Sequence, residues 1–168
     1  MGSKSKAFVW FFLLLLVVTG IDQYSKFFAH DFLSPGYPFV VTSFLNLVVV
    51  YNRGAAFGFL NEQGGWQIVF FSAIAFLVLA YLVYHIWSEA WQSRIIVAAY
   101  GFIAGGAIGN LIDRIQYGFV VDFIDFHYNE WHFWVFNLAD AALTLGVILL
   151  LLSVWLEKRN AEAKGPDN

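Results

Sequence analysis

Long apolar runs alternate with shorter mixed stretches along this 168-residue chain. Four runs reach the roughly 20 residues that a helix rising about 1.5 Å per residue needs to cross a hydrocarbon core of about 30 Å. They fall at about 7–28, 66–87, 95–113 and 139–156. The first is apolar through Ile21 and then carries Asp22 and Lys26, and the second holds no Asp, Glu, Lys or Arg. Arg94 and the Asp113-Arg114 pair bound the third, and the fourth is charged only at Asp140 before Glu157, Lys158 and Arg159. Trp66, Trp87, Trp91, Trp131, Trp134 and Trp155 stand near the run ends, where amphipathic rings favour the headgroup level. Between the runs the pattern changes. Residues 39–51 (FVVTSFLNLVVVY) are rich in β-branched and aromatic types and read as one or two strands. After a break at Asn52-Arg53-Gly54, residues 55–60 continue small and apolar, and 117–126 (YGFVVDFIDF) resemble the first strand segment. The expectation is a membrane α-helical protein: four transmembrane helices, a small extracytoplasmic β-sheet and a short outer interfacial segment, in one integral membrane domain spanning 1–168.

Composition agrees. Hydrophobic residues make up 60% of the chain and charged residues 12%, against about 25% charged in an ordinary soluble domain. The net charge of −3 and the lack of a basic stripe argue against nucleic acid as a partner. With no cysteine, disulfides, thiolate metal sites and a cysteine nucleophile are excluded. The first apolar run resembles a secretory signal, but three more follow and Asp22-Gln23 is not a small-residue cleavage site, so it reads as an uncleaved span. Lys4, Lys6, Arg94, Lys158, Arg159 and Lys164 fall on one side and fewer basic residues on the other. The positive-inside rule then puts both termini in the cytoplasm, a short turn near 88–93 inside, and 29–65 and 115–138 outside.

Ionisable residues inside a membrane are costly and mark function by default. Asp22 lies 16 residues from Lys6, Asp113 19 from Arg94, and Asp140 17 from Glu157. Each count is roughly 24–29 Å of helix, so three spans bring a carboxylate to one depth just inside the outer interface. Asp122 and Asp125 can reach that depth from the outer segment. Such a cluster binds a cation, relays protons, or shares one proton and activates water as an aspartic dyad. Asp22 with Lys26 at i, i+4, and Asp113 beside Arg114, also read as simple ion pairs. Asp122 and Asp140 have no basic neighbour and are the better catalytic candidates, although spacing alone selects neither the pair nor the chemistry. His127 and His132 lie outside any H-E-x-x-H helix, so no zinc site is indicated, and they read as interfacial polar residues, as do His30 and His85. Gly101, Gly105, Gly106 and Gly109 give the third span a small-residue face for close helix packing.

Five blocks then follow in order: DQYSK (22–26), YNRGAAF (51–57), GAIGNLIDR (106–114), VVDF (120–123) and FNLAD (136–140). Together they closely resemble the lipoprotein signal peptidase (signal peptidase II) family, over about residues 10–157. The resemblance implies an intramembrane aspartic endopeptidase of the bacterial inner membrane. Its substrate is a diacylglyceryl-modified prolipoprotein, cut just before the lipidated cysteine. The family's catalytic aspartates match Asp122 and Asp140. Its supporting polar residues match Asp22, Lys26, Asn52, Gly54, Asn110, Asp113, Arg114 and Asn137. No metal, cofactor or obligate protein partner is implied, and membrane lipid surrounds the site. Asp125 receives no role. The rival reading, a small proton or cation conductor, needs acids at several depths, whereas here they gather at one.

Overall fold

The computed structural model describes residues 4–54, 65–89 and 93–164. Its elements run α1 (Lys4–Phe32), β1 (Phe39–Thr42), β2 (Leu45–Asn52), α2 (Trp66–Ser88), α3 (Arg94–Tyr117), β3 (Val120–Tyr128), β4 (Trp131–His132) and α4 (Leu138–Lys164). All four helices are long and apolar enough to cross a membrane. Their outward faces are apolar too: Val9, Leu16, Phe76, Leu77 and Leu151 are each about two-thirds exposed, a surface that only lipid can cover without cost. The 55–60 stretch and residues 90–92, with Trp91, of the turn at 88–93 lie outside the described residues.

α3 is the axis of the bundle, packed against α1, α2 and α4. Its glycines explain why. A Cβ on Gly105 would stand 2.6 Å from Val18 of α1, and one on Gly106 would collide with the Ala139 carbonyl of α4. Without an apolar driving force between helices in lipid, such close backbone approach supplies the contact energy. It also lets Thr19 Oγ1 donate to the Gly105 carbonyl at 3.0 Å across the α1–α3 seam.

The helices outrun the expected spans. α1 continues through Phe32 and α3 through Tyr117, so residues 29–32 and 115–117 are helical rather than outer loop. Asp113 and Arg114 lie within α3 instead of bounding it, because both find partners there and the helix has no reason to stop. It stops at Gly118, whose φ of 73° is left-handed and whose N–H closes on the Arg114 carbonyl.

At the end of the bundle where α1 and α3 finish, a four-stranded antiparallel sheet forms in the order β1-β2-β3-β4. Residues 39–51 make two strands, paired from Phe39↔Leu47 to Thr42↔Leu45. β2 and β3 run from Leu45↔Phe126 to Asn52↔Val120, with an irregularity between Leu47 and Val50. The strand expected from 117 starts at Val120. β4 was not expected: it pairs His127↔His132 across a turn where Asn129 takes φ 52°. The sheet buries Val49, Val121 and Phe123 against Ala29 of α1. That packing fixes β3 over the ends of α1 and α3, and so places Asp122.

Candidate active site

Polar side chains cluster where the first turn of α4 meets α1, α3 and β3. α4 is capped reciprocally: the Asp140 N–H donates to Asn137 Oδ1 at 3.0 Å, and the Asn137 N–H donates to Asp140 Oδ2 at 3.3 Å. This is a capping box with Asn at the N-cap and Asp at the third position. A further helix-end donor, the Ala139 N–H, reaches Asp22 Oδ1 at 2.8 Å, where a negative charge also suits the helix dipole.

Behind that turn lies a buried charge cluster. Lys26 Nζ meets Asp22 Oδ2 at 2.8 Å and Asp113 Oδ2 at 3.1 Å, and donates to Asn110 Oδ1 at 2.8 Å. Lys26, Asp22 and Asp113 are all at most 3% exposed. Burying such charges is tolerable only when every hydrogen-bonding group is matched, and here the three ammonium protons have three partners. Asp113 also accepts from the Val121 N–H at 3.0 Å and Gln23 Nε2 at 2.8 Å, tying β3 to the bundle. The expected Asp22–Lys26 pair is present. The expected Asp113–Arg114 pair is not, because adjacent helix residues point in different directions. Asp113 faces α1, while Arg114 donates to the carbonyls of Asn110 at 3.3 Å and Gly54 at 3.1 Å and lies over the Phe71 ring.

The two remaining aspartates face a shared cavity. Asp140 Oδ1 accepts from Asn110 Nδ2 at 2.8 Å. Asp122 accepts from Asn137 Nδ2 at 2.6 Å and from Asn52 Nδ2 at 2.9 Å. Asn52 Oδ1 in turn accepts the Gly54 N–H at 2.9 Å. Asp122 is 2% exposed, and burial together with the neighbouring Asp140 pushes its carboxyl up from 3.8 to about 7, against the pull of the two asparagine donors and Lys26. Asp122 and Asp140 both line a cavity of about 590 Å³. Its polar end also presents Asn52, Asn110 and Arg114, and its apolar end runs past Leu143, Leu145 and Ile148 of α4 and under Phe133 and Trp134.

All ten residues singled out in the sequence thus join one hydrogen-bonded network. Asp22, Asp113 and Asp125, the other acids at this depth, do not line the cavity. Asp125 stands three residues from Asp122 along β3, hence on the opposite face, where it accepts from Asn46 and meets His132 Nδ1 at 2.9 Å. Among the described residues no group of three His, Cys, Asp or Glu side chains is arranged to hold a metal ion. Sequence reasoning missed Gln23, which clamps Asp113 and also donates to the Gly109 carbonyl at 3.0 Å. A polar residue one step from Asp22 on an apolar helix was its only signal.

A family model described as signal peptidase (SPase) II matches residues 14–156. A lipoprotein signal peptidase of Coxiella burnetii is 46% identical over 155 residues, covering 91% of this chain and 93% of that protein. One from Hydrogenovibrio crunogenus is 41% identical over 163 residues, covering 95% and 92%. Two solved structures, each described as a bacterial membrane enzyme determined by the in meso method, share the fold. One is 33% identical with a TM-score of 0.82 over 94% of this chain and 93% of its own. The other is 35% identical with a TM-score of 0.75 over 86% and 91%.

Proposed function

The chain belongs to the signal peptidase II family, and from that membership we propose that it is an aspartic endopeptidase of the bacterial inner membrane. It removes the signal peptide of diacylglyceryl-modified prolipoproteins by cutting just before the lipidated cysteine. The observation that carries the aspartic mechanism is the pair of cavity-lining carboxylates, Asp122 and Asp140, each held by asparagine N–H donors. Two carboxylates this coupled cannot both ionise cheaply, so they hold one proton between them.

Asp122, the more buried member, carries that proton. Asp140 takes a proton from water, and the water oxygen attacks the scissile carbonyl carbon. Asp122 gives its proton to the carbonyl oxygen. The tetrahedral species then collapses: the C–N bond breaks, the leaving nitrogen takes the proton held by Asp140, and a gem-diol hydroxyl returns its proton to Asp122 as the carboxyl group forms. Arg114 and the asparagines fix the dyad before substrate arrives, so little reorganisation is left for the transition state. The apolar end of the cavity suits the signal helix and acyl chains.

The sheet end of the bundle faces outward and both termini face the cytoplasm. Lys4, Lys6, Arg94, Lys158 and Arg159 flank the helix ends opposite the sheet, as the positive-inside rule requires. A conduit reading has no comparable support: the buried acids gather at one end of the bundle and end on a cavity. The test is incubation of purified protein with a diacylglyceryl prolipoprotein and with its unlipidated precursor, products read by mass. Release of a peptide ending just before the cysteine, from the lipidated form, is expected. A cut elsewhere, or no cut, overturns the assignment.

A further inference from the structure

Lys26 touches neither aspartate of the dyad, yet four short contacts join it to both. Its ammonium donates to Asn110 Oδ1 at 2.8 Å. The same oxygen accepts Asn137 Nδ2 at 3.2 Å. Asn137 Nδ2 also donates to Asp122 Oδ1 at 2.6 Å, while Asn110 Nδ2 donates to Asp140 Oδ1 at 2.8 Å. An amide has one acceptor end and one donor end, and an ammonium only donates. Lys26 therefore dictates which way round Asn110 sits: oxygen toward α1, nitrogen toward Asp140. With Asn110 Oδ1 so placed, the Asn137 nitrogen is likewise turned inward, and its oxygen is left for the Asp140 N–H at 3.0 Å. We propose that Lys26 is a positioning residue for the reaction: through Asn110 and Asn137 it orients the donors on both aspartates, and its charge sets how tightly the pair holds its shared proton.

The surroundings of the ammonium are what such a role needs. It is 3% exposed, so water screens it little. Its charge is balanced by Asp22 on its own helix and Asp113 on α3. The other charged or titratable groups nearby are His30 and Asp31 on α1, Arg114 and Tyr117 on α3, Asp140 on α4 and Asp122 on β3. Arg114 interacts electrostatically with Asp140, Asp122 and Asp113, and unlike Lys26 it lines the cavity with the pair. Lys26 draws the Asp122 carboxyl down against its burial. At roughly 8 Å and an effective dielectric constant of about 20, one unit charge moves a titration by on the order of one pH unit.

The inference rests on Asp122 and Asp140 being the reacting pair, and the experiment separates the two. Profiles of kcat/KM against pH are measured for Lys26→Gln, Lys26→Arg and Asp113→Asn, with Asp122→Asn and Asp140→Asn alongside. Lys26→Gln removes a cation and frees Asn110 to turn its oxygen to Asp140, so both limbs of the profile move to higher pH by about one unit. Lys26→Arg returns them toward their original position. Asp113→Asn leaves the ammonium less compensated and moves both limbs to lower pH by about half a unit. Should Lys26→Gln fail to fold, the Asp113→Asn shift alone decides. Limbs that stay in place while only the amplitude falls would make Lys26 a structural residue and overturn the inference. Turnover by Asp122→Asn or Asp140→Asn would instead overturn the dyad beneath it.

Discussion

Replacing Asp122 with asparagine should abolish cleavage and, above neutral pH, stabilise the protein. Burial and Asp140 raise the Asp122 carboxyl from 3.8 to about 7. The native state therefore binds more protons than the unfolded state between those values, and stability falls as pH rises through the window and levels off above about 7. A rise of that size amounts to roughly 4 kcal/mol once the group is fully ionised, of which about 2–3 kcal/mol is lost between pH 5 and pH 8. The substituted amide cannot titrate. It does turn an NH2 toward either Asn137 Nδ2 or Asn52 Nδ2, which now donate at 2.6 and 2.9 Å, and losing one such bond costs about 1–3 kcal/mol at every pH. The variant should thus match or fall below the wild type at pH 5 and overtake it at pH 8. At about 2–4 °C per kcal/mol, the gap in melting temperature should grow by roughly 5–10 °C between the two. Thermal unfolding of both proteins in one detergent across pH 5–8 measures this. A gap that stays constant, or narrows with rising pH, would refute the reading of Asp122 as a carboxylate forced to ionise against its surroundings.

Two further predictions concern topology and metal. A single cysteine at Asn129, in the β3–β4 turn, should label with an impermeant thiol reagent in intact spheroplasts, and one at Ser88, at the end of α2, should not; the reverse pattern inverts the orientation. Cleavage should survive EDTA and phenanthroline, and loss on chelation with recovery on adding zinc would move the site to a metal mechanism.

The spans were readable because nothing else makes four apolar runs of that length, and their ends were not. Asp113 and Arg114 look like a boundary, yet a charge ends a transmembrane helix only if it must reach water. Asp113 reaches Lys26 and Arg114 reaches two carbonyls, so α3 runs on to Gly118. The same pair shows why sequence neighbours mislead on partners: a helix turns about 100° per residue, and Asp113 meets Lys26 of α1 while Arg114 meets the carbonyls of Asn110 on its own helix and of Gly54. The ten network residues were legible through the five ordered blocks and the common depth of the carboxylates. Their wiring was not, because Asn137 meets Asp122 only where β3 lies over the bundle end and meets Asn110 only where α4 packs on α3. Gln23 and the β4 hairpin were missed for the same reason: their signals are contacts, not patterns.

The central claim is that Asp122 and Asp140 act as one unit. It is tested most directly by cleavage rates for Asp122→Asn, Asp140→Asn and the double variant, each first shown to be folded by thermal unfolding. Groups that share one proton are strongly non-additive. Each single substitution should reduce turnover to background, and the double variant should be no worse than either. Substantial turnover in either single variant, or two partial losses that multiply in the double, would contradict the account.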